Sequence, residues 1–147
     1  MYKSVLVAVD GSAHSAKVVD FATDYAAMHG TRLLILSVYR TMRMPESSHS
    51  MVRPTGHGAA TPDEMRTYAE SVVKAATERA QASGAKEVEG FVLQGQIART
   101  IVGFARERGV DAIVLGSRGL GDMTGFLLGS VSHKVTSLAE CTCIVVK

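Results

Sequence analysis

The chain has 147 residues, 46% of them hydrophobic and 20% charged, with 16 Lys plus Arg against 14 Asp plus Glu for a net charge of +2. That length suits a single domain with its own core, and the composition is that of a folded globular protein, which excludes a disordered chain. A balance so close to neutral gives no ground for nucleic acid as the main partner, and no apolar run approaches the ~20 residues that cross a bilayer.

The start, Met1-Tyr2-Lys3-Ser4-Val5, enters a strand directly and leaves no room for a signal peptide, so a cytoplasmic protein is expected. Val5-Leu6-Val7-Ala8-Val9 is an apolar run that ends at Asp10. Ser12 suits a helix cap, and Ala16, Val19, Ala22 and Ala26 then recur at helical spacing until Gly30 stops the helix. Leu33 to Val38 reads as a second buried strand. Residues 40–61 break the pattern with Pro45, Pro54, Gly56 and Gly58, and Arg40, Arg43 and Arg53 face only Glu46. A connection this long is predicted as a mobile loop, either a plain solvated connection, a lid over a ligand or a partner surface, and Met42, Met44 and Met51 suit adaptable packing.

Thr61-Pro62-Asp63-Glu64 carries a capping Thr, Pro at the first helical position and Glu in the capping-box position. Met65, Ala69, Val72, Val73, Ala76 and Ala80 form the apolar stripe of that helix, which Gly84 ends. Val88 to Leu93 is a third strand, and Ile97, Ile101, Phe104 and Ala105 mark a third helix closed by Gly109. Ala112 to Leu115 is the fourth strand, Val131, Val135 and Leu138 belong to a fourth helix, and Cys143 to Val146 is the fifth strand. Cys141 and Cys143 share one strand face, but a bridge between them would strain the backbone and no His or Cys partners complete a zinc site. They read as small buried hydrophobes.

Apolar strands alternating with amphipathic helices predict an α/β fold, a doubly wound parallel sheet of five strands with helices on both faces. In such sheets ligands bind beyond the carboxyl ends of the strands, where the strand order reverses. Two motifs lie at strand ends. Asp10 follows the first strand, where its carboxylate can bond a ribose or adenine group, hold a metal-bound water, or merely cap the next helix. Gly116-Ser117-Arg118-Gly119 follows the fourth, and after nine intervening residues comes Gly129-Ser130-Val131-Ser132 at a helix start. Glycines let backbone N–H groups approach a ligand closely, and a Gly-Ser pair opening a helix adds donors, a hydroxyl and the positive end of the helix dipole. Together they form two halves of a phosphate cradle. It is neither a P-loop, since no Gly-Lys-Ser/Thr follows, nor G-x-G-x-x-G. Ser130 and Ser132 can also be read as simple N-caps, Arg118 and Lys134 as solvated cations, Gly121 and Gly125 as turns, and Asp122 as a charge beside the phosphates. His14, His29, His49, His57 and His133 have no metal-ligand spacing, and no catalytic residue and no metal ligand is assigned.

Gly116, Gly119, Gly129 and Ser130 match G-x2-G-x9-G-[ST] without a gap, and with that match the chain resembles the ATP-binding branch of the universal stress protein family. The resemblance extends to Val5-Leu6-Val7-Ala8-Val9-Asp10-Gly11-Ser12 and to Cys141-Thr142-Cys143-Ile144-Val145-Val146, where Thr142 replaces the family's usual Pro. It covers nearly the whole chain apart from about 40–61. It implies a Rossmann-like sheet of order 3-2-1-4-5 and an adenine nucleotide, ATP (or ADP or AMP) with Mg²⁺, as cofactor. Ala8, Val9, Asp10 and Ser12 would line the nucleoside end, and the backbone of Val38 would read the adenine edge. Gly116, Arg118 and Gly119 would wrap the ribose and phosphates, and Gly129, Ser130, Val131 and Ser132 would serve the phosphate tail. It also implies a homodimer through antiparallel last strands, with a tetramer as further assembly, and a regulator of stress response or of a partner protein. The alternative on the same site is a slow ATPase or phosphate-transferring enzyme, for which no dedicated base is seen. A flavin or other nucleotide carrier is a third reading.

Overall fold

The computed structural model describes residues 1–40, 61–118 and 128–147. Its elements in chain order are β1 (Ser4–Ala8), α1 (Ala13–His29), β2 (Arg32–Tyr39), α2 (Pro62–Ala82), β3 (Val88–Gln94), α3 (Ile97–Glu107), β4 (Ala112–Gly116), α4 (Ser130–Leu138) and β5 (Thr142–Val146). The caps read from the sequence form as hydrogen bonds. Ser12 Oγ accepts from the Ser15 N–H at 3.2 Å, and α1 stops at Gly30, whose N–H donates to Ala26. Thr61 and Glu64 close a reciprocal capping box, with N–H···O distances of 3.2 and 3.0 Å. Most of residues 40–61, predicted as a mobile loop, lie outside the described residues, as does Gly119.

All four strand pairings are parallel, in the order β3-β2-β1-β4-β5, as the resemblance implied. Each strand is returned to the same edge by a helix, which is what parallel pairing requires. Alternation along the strands splits the core in two. Val5, Val7, Leu33 and Ile35 pack with Val18, Val19, Ala22 and Ala26 of α1 and with Val73, Ala76 and Ala80 of α2. On the opposite face Leu6, Leu34, Leu36 and Ile113 meet Ile101, Phe104 and Ala105 of α3 and Val135 of α4. Burying these central strands on both sides explains their continuous apolar runs.

Gly84 ends α2 as expected, at φ 101° just past the Ser83 cap, with its N–H donating to the Gln81 carbonyl at 3.2 Å. Two details depart from the sequence reading. Val9, expected as the last strand residue, stands just past β1, although its N–H still reaches the Leu36 carbonyl at 2.9 Å. The strand β3, at the end of the strand order, is not buried on both faces; Glu89 is exposed there and pairs with Arg32 of β2 at 2.6 Å.

Candidate functional site

Between β1 and β4 the strand order reverses, since the chain leaves β1 toward β2 on one side and β4 toward β5 on the other. A cleft of about 500 Å³ opens at this point, beyond the carboxyl ends of the strands. That size lies within the ~300–1,000 Å³ typical of small-molecule sites. Ala8, Val9, Asp10 and Ser12 line it from the β1–α1 turn, and Val38 from the end of β2. Gly116 and Arg118 line it from the end of β4, and Ser130, Val131 and Ser132 from the first turn of α4. Of the residues singled out in the sequence, Gly119 lies outside the described residues. Gly129 does not line the cleft; it is buried as the N-cap of α4, donating its N–H to the Ser117 carbonyl at 2.6 Å.

The β1–α1 turn is shaped locally. The Ser12 N–H donates to Asp10 Oδ1 at 2.9 Å, so Asp10 braces the turn while the helix cap is Ser12 itself. Gly11 sits at φ 82°, a left-handed conformation that strains any side chain, and a Cβ there would also meet the Tyr68 hydroxyl and stand 2.9 Å from Val72 Cγ2. The β4 end is equally constrained. A Cβ on Gly116 would come within 2.7 Å of His14 Cδ2, so the missing side chain at 116 makes room for the imidazole of α1. Ser132 Oγ, on a buried residue, donates to the Gly116 carbonyl. Neither Ser130 nor Ser132 is the N-cap of α4, correcting the simple capping alternative; Gly129 holds that place and has no side chain to offer.

The first turns of all four helices reach the cleft, through Ser15 of α1, Glu64 of α2, Ile97 of α3 and Ser130 of α4. The partial positive charge of helix N-termini therefore converges there. In α1 and α2 first-turn N–H groups are taken by Ser12 and Thr61, whereas α3 and α4 have no side-chain cap. Arg40, Arg118, Asp10 and Glu64 are the charged residues among the mainly apolar lining, the Glu64 carboxylate accepting from the Thr61 N–H at 3.0 Å. Such a site can hold a ligand with an apolar, planar part and an anionic tail.

Sequence reasoning missed the helical walls. Met65, Tyr68 and Ala69 of α2 and Ile97 and Ile101 of α3 line the cleft, as do Tyr39 and Arg40 beyond β2. Met65, Ala69, Ile97 and Ile101 looked like ordinary core stripe. The available signal was position: in a parallel sheet returned by helices, the first two turns of each helix lie at the same edge as the ligand site. Arg40, which the sequence places in the basic connection, also lines the cleft. The cysteines lie elsewhere, partly buried against the α3–α4 side of the sheet. Burial pushes both thiols up, with the neighbouring Cys141 adding to the effect at Cys143, so the reactive thiolate form is disfavoured. Among the described residues no three His, Cys, Asp or Glu side chains are grouped to hold a metal ion, and no helix is long and apolar enough to cross a membrane.

An open, doubly wound parallel sheet with a cleft at its topological switch point, edged by a glycine-ended strand and a helix start without a side-chain cap, defines the Rossmann-like class of α/β proteins, in which such clefts are where ligands bind. The sequence model of the universal stress protein family matches residues 1–147, and the chain belongs to that family. It is similar to the universal stress protein YxiE of Bacillus subtilis, 34% identical over 149 residues with both chains covered in full. It is also similar to the crystal structure of a universal stress protein in complex with cAMP, at 28% identity and TM-score 0.72, with 99% of this chain and 96% of that one covered. A universal stress protein of Archaeoglobus fulgidus in complex with dAMP gives 26% identity and TM-score 0.72, covering 99% and 98%.

Proposed function

We propose that this protein binds an adenine nucleotide, ATP foremost, in the switch-point cleft and acts as a nucleotide-dependent regulator of stress response or of a partner protein. The observation that carries the proposal is the meeting of Asp10, Gly116, Arg118 and the uncapped first turn of α4 around one cleft of about 500 Å³. The residues present fit the ligand chemically. Apolar side chains of Val38, Ile97 and Ile101 suit a purine, while Arg118 and the α4 N–H groups suit phosphate. Bound ATP would bring Mg²⁺ coordinated largely by its own phosphate oxygens and water. The cAMP and dAMP bound by the two related structures support an adenine ligand.

The proposal includes a single domain in the cytoplasm and a homodimer formed through the free edge of β5. Calorimetric titration with ATP, AMP and cAMP, together with mass analysis of nucleotide released from freshly purified protein, tests it. Tight binding of ATP supports the reading; no measurable binding of any adenine nucleotide overturns it.

A further inference from the structure

His14, to which the sequence gives no role, stands at the junction of four elements. It is the second residue of α1, and its Nε2 lies 2.8 Å from the carbonyl oxygen of Val146, the last residue of β5. A carbonyl oxygen only accepts, so Nε2 carries the hydrogen and donates it. The same Val146 oxygen accepts the Ser117 N–H at 2.9 Å. On its way to β5 the imidazole covers the Cα of Gly116, with Cδ2 2.7 Å and Nε2 3.2 Å from where a Cβ would stand. On the other side, Ser132 Oγ donates to the Gly116 carbonyl, and the Gly129 N–H donates to the Ser117 carbonyl at 2.6 Å.

The Gly116-Ser117 dipeptide is thus gripped by α1 through His14, by β5 through Val146 and by α4 through Gly129 and Ser132. These are the residues that set the spacing between the end of β4 and the start of α4. We propose that His14 is a positioning residue for the anion-binding half of the cleft, fixing the Gly116-Ser117 backbone by anchoring the end of β5 against it. His14 touches no ligand in this proposal; it acts through Val146 and Gly116. The selective consequence is that its loss weakens recognition of a phosphate tail and leaves the nucleoside end, built from Ala8, Val9 and Val38, unaffected. That part rests on the nucleotide reading given above.

The test compares wild type, His14→Ala and His14→Gln, the glutamine offering an amide N–H near the Nε2 position. Calorimetry with ATP and with adenosine reads the ligand effect, and amide hydrogen exchange of the ligand-free protein at Ser117 and Gly129 reads the backbone. The expected result for His14→Ala is an ATP affinity about tenfold weaker with adenosine affinity kept within about twofold, and exchange faster by about tenfold at both amides. Glutamine should recover most of both. Equal loss of ATP and adenosine affinity, or unchanged exchange at Ser117 and Gly129, overturns the proposal. Should wild type bind no adenine nucleotide, the nucleotide reading falls, and the exchange comparison still decides whether His14 holds this backbone.

Discussion

The Tyr68 hydroxyl of α2 rests on the Cα of Gly11, in the place a side chain at position 11 would need, and so joins α2 to the β1–α1 turn across the rim of the cleft. Three effects then disfavour a substitution at Gly11: the left-handed backbone, the Tyr68 hydroxyl and Val72 Cγ2, 2.9 Å from where a Cβ would stand. The left-handed φ of 82° costs an alanine about 1–2 kcal/mol. The hydroxyl is the far end of Tyr68, a residue 53% exposed, and can swing away at little cost, whereas the β-branched Val72 stays in place in either background. Gly11→Ala should therefore destabilise the protein by about 1–2 kcal/mol in urea unfolding, and nearly as much in a Tyr68→Ala background. A cost that vanishes in that background would show that the Tyr68 contact, and not backbone conformation, requires the glycine.

The phosphate end of the cleft is open to a direct test. Gly129 has φ −68° and ψ 167°, angles a valine adopts without strain. Gly129→Val with Ser130→Ala should leave the circular dichroism spectrum unchanged. The added methyls crowd the start of α4 and the lost hydroxyl removes a donor, so ATP affinity should fall by more than about tenfold. Binding kept within a few-fold would remove the α4 start from the proposed site.

The geometry of β5 sharpens the test for assembly. Val146 points its carbonyl toward β4, where Ser117 donates to it, so by alternation the Val145 N–H and C=O point to the free edge. Proline at 145 therefore removes an outward donor and spares the β4–β5 ladder. Light scattering of the wild type should report a homodimer and of Val145→Pro a monomer. A monomeric wild type, with or without ATP, excludes pairing through this edge.

At the opposite end of the sheet Asp111 supplies an acid-sensitive contact. Its Oδ2 accepts from the backbone N–H groups of Lys3 at 2.7 Å and Ser4 at 3.0 Å. Those two bonds, Ser4's being the larger effect, hold its carboxyl below the usual aspartate value. A depressed folded-state pKa contributes stability that is present above the unfolded-state value, near about pH 4, and is lost as pH falls through the folded value. Asparagine keeps an acceptor oxygen but does not titrate in this range. The melting temperature of Asp111→Asn should lie below wild type at neutral pH, with the gap closing under about pH 4. A gap that stays constant into acid would dismiss this contact as a source of acid sensitivity.

What the sequence determined by itself is whatever depends on neighbours in the chain. The helix stripes, the Ser12 cap, the Thr61–Glu64 capping box and the buried runs of β1, β2 and β4 are set by residues within a few positions of one another, where periodicity and capping chemistry operate. Asp10, Gly116 and Ser130 were legible for the same reason, since each stands at a strand end or helix start that local pattern already marks. The strand order was not in the pattern; it came through the family resemblance, because apolar strands of similar length can be arranged in several orders that all bury their faces. Only the tertiary structure placed Tyr68 on Gly11 and His14 on Val146, contacts that span 57 and 132 positions. A tyrosine on a helix face and a histidine in a first turn carry no local sign of such partners. Their roles exist only once parallel pairing brings the ends of β1, β4 and β5 and the starts of the helices to one edge of the sheet.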